Sequence, residues 1–193
     1  GIFKTGVGDN RFCGKEFNMK TGVIIYQSKY GATQKYADWL REMTGFDCVK
    51  TQKAVLEEVT KYQTIILCGG IYGSGIAGLK FLKKNIGRLR GRKIAILCVG
   101  ASPYDKNAFE ELKKHNLKNE LENIPLFYGR GQWKLNQMTF VDRTLCAMLK
   151  KSIAKKDPST YEPWMAGLMS AVGPNEDWTD KKYLAPLLEY VKM

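Results

Sequence analysis

From Thr21 onward, short runs of β-branched and apolar residues alternate with amphipathic segments. The apolar runs predict five strands, at residues 23–26, 46–49, 64–68, 93–99 and 124–128. The segments between them predict helices at residues 32–43, 54–62, 77–86 and 105–121. Strands that alternate with helices form a parallel sheet, and right-handed crossovers place helices on both of its faces. The pattern therefore predicts an α/β fold in three layers.

The first predicted helix and the last third of the chain carry apolar stripes at helical spacing. In the first helix, Tyr36, Ala37, Leu40 and Met43 are expected to face the core. Residues 138–153 predict a helix that covers the sheet through Val141, Leu145, Met148, Leu149 and Ile153. Because Lys155 and Lys156 follow, the alternative is a helix that lies on an anionic membrane. A closing helix is expected at residues 180–191, capped by Thr179 or Asp180.

Length and composition favour one domain. A chain of 193 residues with 44% hydrophobic residues can bury one sizeable core. We expect the domain at residues 19–193, preceded by an N-terminal extension or expression remnant at residues 1–18. The five cysteines form no C-x-x-C pair, so no metal site is predicted and structural thiols are expected. Since no run approaches about 20 apolar residues, a cytoplasmic protein is expected, with peripheral membrane binding as an alternative.

A net charge of +12 points to anionic partners. The lysines are scattered along the helical segments, and the sequence has no specific nucleic-acid-binding motif. An acidic protein, an anionic lipid surface or a carboxylated substrate is compatible with this charge. The apolar segment at residues 161–169 is expected to pack on the domain, and a homodimer contact or a membrane contact is the alternative.

The loop after the first predicted strand has the composition of a phosphate-binding site. Hydroxyl residues surround a glycine at the start of a helix, whose free N–H groups attract a phosphate dianion. An ordinary helix cap would have a similar composition. The predicted ligand-binding residues of this loop are Ser28, Lys29, Tyr30, Gly31, Ala32 and Thr33. Of these, Ser28, Gly31, Ala32 and Thr33 are expected to hold the phosphate.

Two further loops should meet this loop, because the carboxyl ends of parallel strands lie at one edge of the sheet. Glycines there let the backbone approach a flat ligand, and a tyrosine can stack on it. The predicted residues after the third strand are Gly70, Ile71, Tyr72, Gly73 and Ser74, and those after the fourth are Gly100, Ala101, Ser102 and Tyr104. A tight β-to-α turn with a half-buried tyrosine is the alternative reading of the loop after the third strand.

These loops resemble those of the flavodoxin family, whose phosphate loop runs Ser/Thr-x-Thr-Gly-x-Thr. Ser28, Gly31 and Thr33 match this pattern, and Tyr30 replaces the central threonine. The resemblance implies a five-stranded sheet of order 2-1-3-4-5, an FMN cofactor, and Tyr72 and Tyr104 beside the flavin ring. Over roughly residues 19–193, the chain resembles the menaquinone-dependent protoporphyrinogen oxidase branch more than a carrier flavodoxin. The first, third and fourth strand regions carry this resemblance, and Val141-Asp142-Arg143 and residues 177–180 extend it into the tail.

Two function classes follow. The first is an FMN-dependent redox protein, either an oxidoreductase or an electron carrier, whose partner is a protein or a quinone. Its narrower version oxidises a porphyrinogen-like substrate. The second class is a non-enzymatic module that binds an acidic partner through its basic surface. The single histidine, His115, lies on a predicted helix surface among lysines, so a catalytic base is not expected there.

Overall fold

The computed structural model describes residues 20–134, 140–169 and 175–193. Its strands are β1 (Lys20–Gln27), β2 (Asp47–Lys50), β3 (Tyr62–Tyr72), β4 (Gly75–Ile76), β5 (Lys93–Gly100), β6 (Leu126–Arg130), β7 (Gln132–Lys134) and β8 (Asn175–Asp177). Its α-helices are α1 (Ala32–Thr44), α2 (Leu56–Val59), α3 (Leu79–Asn85), α4 (Lys106–Asn116), α5 (Phe140–Ile153), α6 (Pro163–Met169) and α7 (Ala185–Lys192). Residues 1–18 lie outside the described part, so the predicted domain division stays a prediction.

The central sheet confirms the predicted α/β fold. Its parallel strands run in the order β2-β1-β3-β5-β6, which is the predicted order 2-1-3-4-5 when the parallel strands alone are numbered. The pairing of Ile24 with Ile66, and of Ile66 with Ala95, shows the register across its middle. The sheet also has an unpredicted short strand, β4, and a separate antiparallel pair, β7 and β8, lies beside it.

Helices pack on both faces of the sheet and form two hydrophobic cores. Successive residues of a strand point to opposite faces, so Ile24 and Ile66 lie in one core and Ile25 and Leu67 in the other. Two predicted structural cysteines are fully buried in these cores. Burial raises the pKa of the Cys98 thiol to about 12 and also raises that of Cys68, so both stay protonated at neutral pH.

The third strand is longer than predicted, and this changes the reading of the glycine-rich loop. β3 continues through Gly70, Ile71 and Tyr72, and β4 pairs back on it after a tight turn. These three residues therefore lie in a hairpin strand rather than in a loop. A Cβ on Gly69 would lie 2.0 Å from the carbonyl oxygen of Ala77, so only glycine lets the hairpin fold back this closely.

Two helices are shorter than predicted. Of residues 54–62, only α2 is α-helical, because Tyr62 already belongs to β3. α4 ends at Asn116, where the next residue adopts an extended conformation. The buried Asn116 amide group donates hydrogen bonds to the carbonyl oxygens of Leu112 and Ser74, which fixes this end of the helix against the β3–β4 turn.

The apolar stripes are only partly buried. In α1, Tyr36, Ala37 and Leu40 are buried as predicted, but Met43 in the last turn is exposed, so its prediction was wrong. The prediction that α5 covers the sheet through its stripe was also wrong. Leu145 and Met148 are 54% and 64% exposed. α5 packs instead on a third cluster of buried residues, made of Trp133, Ile153, Met165 and Leu168.

Two further predictions about this part of the chain are confirmed. Met165 and Leu168 of α6 are buried in the third cluster, so the segment packs on the domain as favoured. The Asp180 carboxylate accepts a hydrogen bond from the Lys182 N–H at the start of the closing helical segment, which makes Asp180 the cap. Among the described residues, no helix is both long and apolar enough to cross a bilayer.

Candidate functional site

A cavity of about 450 Å³ opens at the carboxyl edge of the sheet. The structure brings eleven of the predicted site residues to its wall: Ser28, Lys29, Tyr30, Ala32, Thr33, Gly70, Ile71, Tyr72, Gly73, Gly100 and Ala101. The described residues of the wall that were not predicted are Val99, Gly131, Gln132, Trp133, Leu145 and Cys146. The loops after β1, β3 and β5 therefore meet at one place, as the topology requires.

The loop after β1 is preorganised at the start of α1. Gly31 has a φ of 100°, in the left-handed region, and its N–H donates to Ser28 Oγ over 3.0 Å. The first hydrogen bond of the helix runs from the Lys35 N–H to the Gly31 carbonyl oxygen. The N–H groups of residues 32–34 precede this bond and have no acceptor within the helix. Gly31 thus shapes the loop without lining the cavity itself.

Tyr72 connects the end of β3 with this loop. Its hydroxyl oxygen accepts a hydrogen bond from the Lys29 N–H over 3.0 Å. A Cβ on Gly70 would lie 2.9 Å from that oxygen, so the tyrosine side chain lies directly over the glycine. This close approach depends on the absence of a side chain at residue 70.

Besides Gly31, three predicted site residues lie outside the cavity wall that the structure describes. The Ser74 hydroxyl lies 3.3 Å from His115 Nε2, on the exposed surface. Tyr104 is exposed, and its ring packs on Phe109 and Tyr128. Tyr128 also donates a hydrogen bond to the Ser102 carbonyl oxygen, which anchors the loop after β5. For Ser74, Ser102 and Tyr104, a role in binding stays a prediction.

Sequence reasoning missed β7, which forms another wall of the cavity. Gln132 Nε2 donates to Asp177 Oδ2 over 2.9 Å, while Gln132 Oε1 is buried without a hydrogen-bond partner. Because the charged carboxylate requires a donor, the amide orientation is fixed and the carbonyl oxygen is left as an acceptor. The strand has three residues and pairs with residues 175–177, so no local periodicity indicates it.

Asp177 holds β7, β8 and α1 together. Burial alone would raise its pKa, but hydrogen bonds from Thr179, Lys35 and Gln132 hold the pKa well below the usual range. The carboxylate accepts from Lys35 Nζ and from Gln132 Nε2 over 2.9 Å each. Nearby, the Arg130 guanidinium lies 4.0 Å from the centre of the Trp178 ring and donates to the Ala101 carbonyl oxygen.

Replacing Asp177 by asparagine should lower the free energy of unfolding by about 1 kcal/mol at pH 7, since the half-exposed carboxylate is screened by solvent. Its folded pKa is depressed, so its stabilisation is present above the unfolded pKa of about 3.9 and is lost as the pH falls towards the folded value. Urea unfolding of both proteins at several pH values should show a difference that shrinks below pH 4. A difference that stays constant down to pH 2 would contradict this assignment.

Comparison with known proteins assigns the family. The family model described as Flavodoxin domain matches residues 23–160. The chain belongs to the flavodoxin domain family. Membership makes it a flavodoxin-type flavoprotein and places it in the electron-transfer class, while no curated protein matches the chain. The flavodoxin domain match covers β1 to β7 and α1 to α5, and thus the three loops that line the cavity.

Three solved structures are similar to this chain at low sequence identity. The Trp repressor binding protein from Bacillus subtilis is 14% identical, with a TM-score of 0.45 over 58% of this chain and 84% of that one. A short-chain flavodoxin associated with a non-canonical PDU bacterial microcompartment is 13% identical, with a TM-score of 0.42 over 58% and 82%. A flavodoxin from the domain Archaea is 13% identical, with a TM-score of 0.37 over 67% and 92%.

Proposed function

We propose that this flavodoxin-type protein binds FMN in the cavity at the carboxyl edge of the sheet and transfers electrons through it. The observation that carries the proposal is the meeting of the first turn of α1 with three glycine-containing wall segments around a single cavity of about 450 Å³. Cavities that bind small molecules and cofactors have volumes of about 300–1,000 Å³. The bound flavin supplies the redox chemistry, and the protein supplies binding, orientation and electrostatics.

The first loop is the proposed phosphate site. The N–H groups of residues 32–34 point out of the helix end, where the helix dipole favours an anion. Thr33 is buried and lines the cavity, which places it among the residues that would hold the phosphate. Ser28 acts in two ways, because it lines the cavity and its oxygen fixes Gly31 in the left-handed conformation.

The remaining walls supply the proposed ring site. Gly70, Gly100 and Gly131 let the backbone approach a planar ring, and Tyr72 presents an aromatic side chain beside the first loop. The unpartnered Gln132 Oε1 supplies an acceptor for a flavin hydroxyl or N–H group. A buried acceptor of this kind is costly when it stays unpaired, so its presence in the wall supports a polar ligand.

The basic surface supports an acidic redox partner. Carrying a charge of +12, the chain would attract a negatively charged protein. The mouth of the cavity also offers an apolar contact, because Leu145 lines the cavity and is 54% exposed. A quinone is the alternative acceptor. The narrower oxidase version, with a porphyrinogen as substrate, rests on the family resemblance alone.

An absorbance spectrum and an FMN titration test the proposal. The wild-type protein should show flavin bands or gain them when FMN is added. The double variant S28A/T33V should bind FMN about 100-fold more weakly, because hydrogen bonds to a charged group contribute about 1.5–3 kcal/mol each. The double variant S159A/T160V removes the same groups from an exposed turn outside the cavity wall and should bind normally.

The outcomes separate the versions of the function. A colourless wild-type protein that does not bind added FMN would refute the redox proposal. The non-enzymatic module that binds an acidic partner would then be the remaining hypothesis. If flavin binds, the dithionite-reduced protein is mixed with a menaquinone analogue or with an acidic electron-transfer protein. Turnover with the quinone and a porphyrinogen supports the oxidase, whereas exchange with the protein alone supports the carrier.

A further inference from the structure

We infer that Lys134 supplies the positive charge that neutralises the phosphate group of the bound flavin, an inference that rests on the proposed function. Lys134 belongs to β7, outside the loop after β1 in which the phosphate ligands were expected. A Cβ on Gly31 would lie 3.8 Å from Lys134 Nζ, so the ammonium group lies beside the residue that directly precedes α1. A fourth segment of the chain thus reaches the phosphate loop.

The backbone of Lys134 is held in place at this position. Its strand pairs with β8, with Lys134 opposite Asn175, and the preceding Trp133 is buried in the third cluster. Gln132, two residues earlier, lines the cavity and donates a hydrogen bond to Asp177. The ammonium is therefore brought to the loop by ordered neighbours on both strands of the pair.

The charges around the ammonium favour an anionic ligand. Lys35 is the fourth residue of α1, and its Nζ forms an ion pair with Asp177 Oδ2 over 2.9 Å. For Lys134, by contrast, no carboxylate within the described ranges comes close enough to form an ion pair. Its positive charge stands next to the N-terminal end of α1, which is itself positive. Two adjacent positive groups repel each other, and an anion between them removes the repulsion.

A lysine beside the phosphate site changes which flavin the site prefers. Hydroxyl and amide donors bind a phosphate without neutralising it, whereas a lysine adds an attraction that depends on the phosphate charge and on salt. Because riboflavin lacks the phosphate, its binding should not depend on Lys134. The lysine should therefore set the preference for FMN over riboflavin and leave contacts to the ring unchanged.

The test compares K134Q with wild type, using K134R as the conservative variant and K151Q on the exposed side of α5 as the matched control. Dissociation constants for FMN and riboflavin are measured by quenching of flavin fluorescence at low and high salt. K134Q should bind FMN about tenfold more weakly at low salt, as for loss of one charge-assisted hydrogen bond. Its riboflavin affinity should be unchanged, and K134R and K151Q should behave like wild type.

Equal FMN affinity in K134Q, or an equal loss for both flavins, would overturn the inference. If wild type binds neither flavin, the proposed function fails, and melting temperatures of the flavin-free protein then decide the role of Lys134. Inorganic phosphate should raise the melting temperature of wild type and K151Q more than that of K134Q, and in phosphate-free buffer K134Q should melt at the higher temperature. If phosphate raises the melting temperatures of the three proteins equally, the inference about Lys134 is overturned.

Discussion

The G69A variant should unfold with a free energy about 3 kcal/mol lower than that of wild type, at the upper end for an overpacked position. The added methyl group would lie 2.0 Å from the Ala77 carbonyl oxygen and 2.9 Å from Ile76 Cγ2. Both neighbours belong to the segment that folds back on β3, where the Ala77 N–H donates to the Gly70 carbonyl oxygen. Backbone cannot rotate away as a flexible side chain can, so the hairpin must open.

The matched control is G87A. A Cβ at Gly87 meets no heavy atom within 4 Å, and this glycine has no positive φ, so the same change should be close to neutral. Urea denaturation of both variants gives the comparison, and flavin affinity gives a second readout because Gly70 and Tyr72 of the opened hairpin line the cavity. A G69A protein as stable as G87A would show that β3 and β4 do not pack as described.

The A32D variant should lose FMN affinity by about 1,000-fold while keeping its stability. Ala32 is the first residue of α1 and lines the cavity. The first turn of the helix contains no acidic residue, so an aspartate there interacts favourably with the helix dipole. The same carboxylate repels a phosphate group by about 4 kcal/mol per pair of unit charges 4 Å apart at an effective dielectric constant of 20.

Combining thermal unfolding with flavin titration checks this expectation. The A154D variant makes the same change of charge at an exposed residue after α5, and should bind FMN normally. Riboflavin should bind to A32D better than FMN does, which reverses the order expected for wild type. If A32D loses riboflavin and FMN equally, or unfolds at a lower temperature than A154D, the first turn of α1 is not the phosphate site.

The sequence predicts the central sheet well because its strands are short, apolar and separated by helices. The order of the parallel strands and the burial of Tyr36, Ala37 and Leu40 were confirmed. The ends of the elements were less accurate, since they depend on tertiary contacts. β3 runs past the predicted end at Cys68, because the glycines that indicated a loop there also permit a hairpin under a tyrosine.

The cavity could be predicted only where its wall follows from topology. The carboxyl ends of parallel strands meet at one edge of the sheet, and eleven predicted residues from three strand ends and the segments that follow them line the cavity. Gln132 and Trp133 could not be found in this way, because β7 is defined by pairing with β8, which lies far away in the sequence. The prediction that α5 covers the sheet was wrong for a different reason. Helical spacing shows that a helix has an apolar face, but it does not show which element packs on that face.

The pairing of β7 with β8 also bears on how the protein is made. Gln132 and Asp177 are 45 positions apart, and the hydrogen bond between them joins the cavity wall to a later part of the chain. During translation, the loops after β1, β3 and β5 emerge first and can reach their places in the sheet. The wall formed by β7 lacks its partner until residues 175–177 have been synthesised. Products that end before residue 175 should therefore lack the support of β7, and they also lose Leu184 and Leu187, which are buried against one face of the sheet.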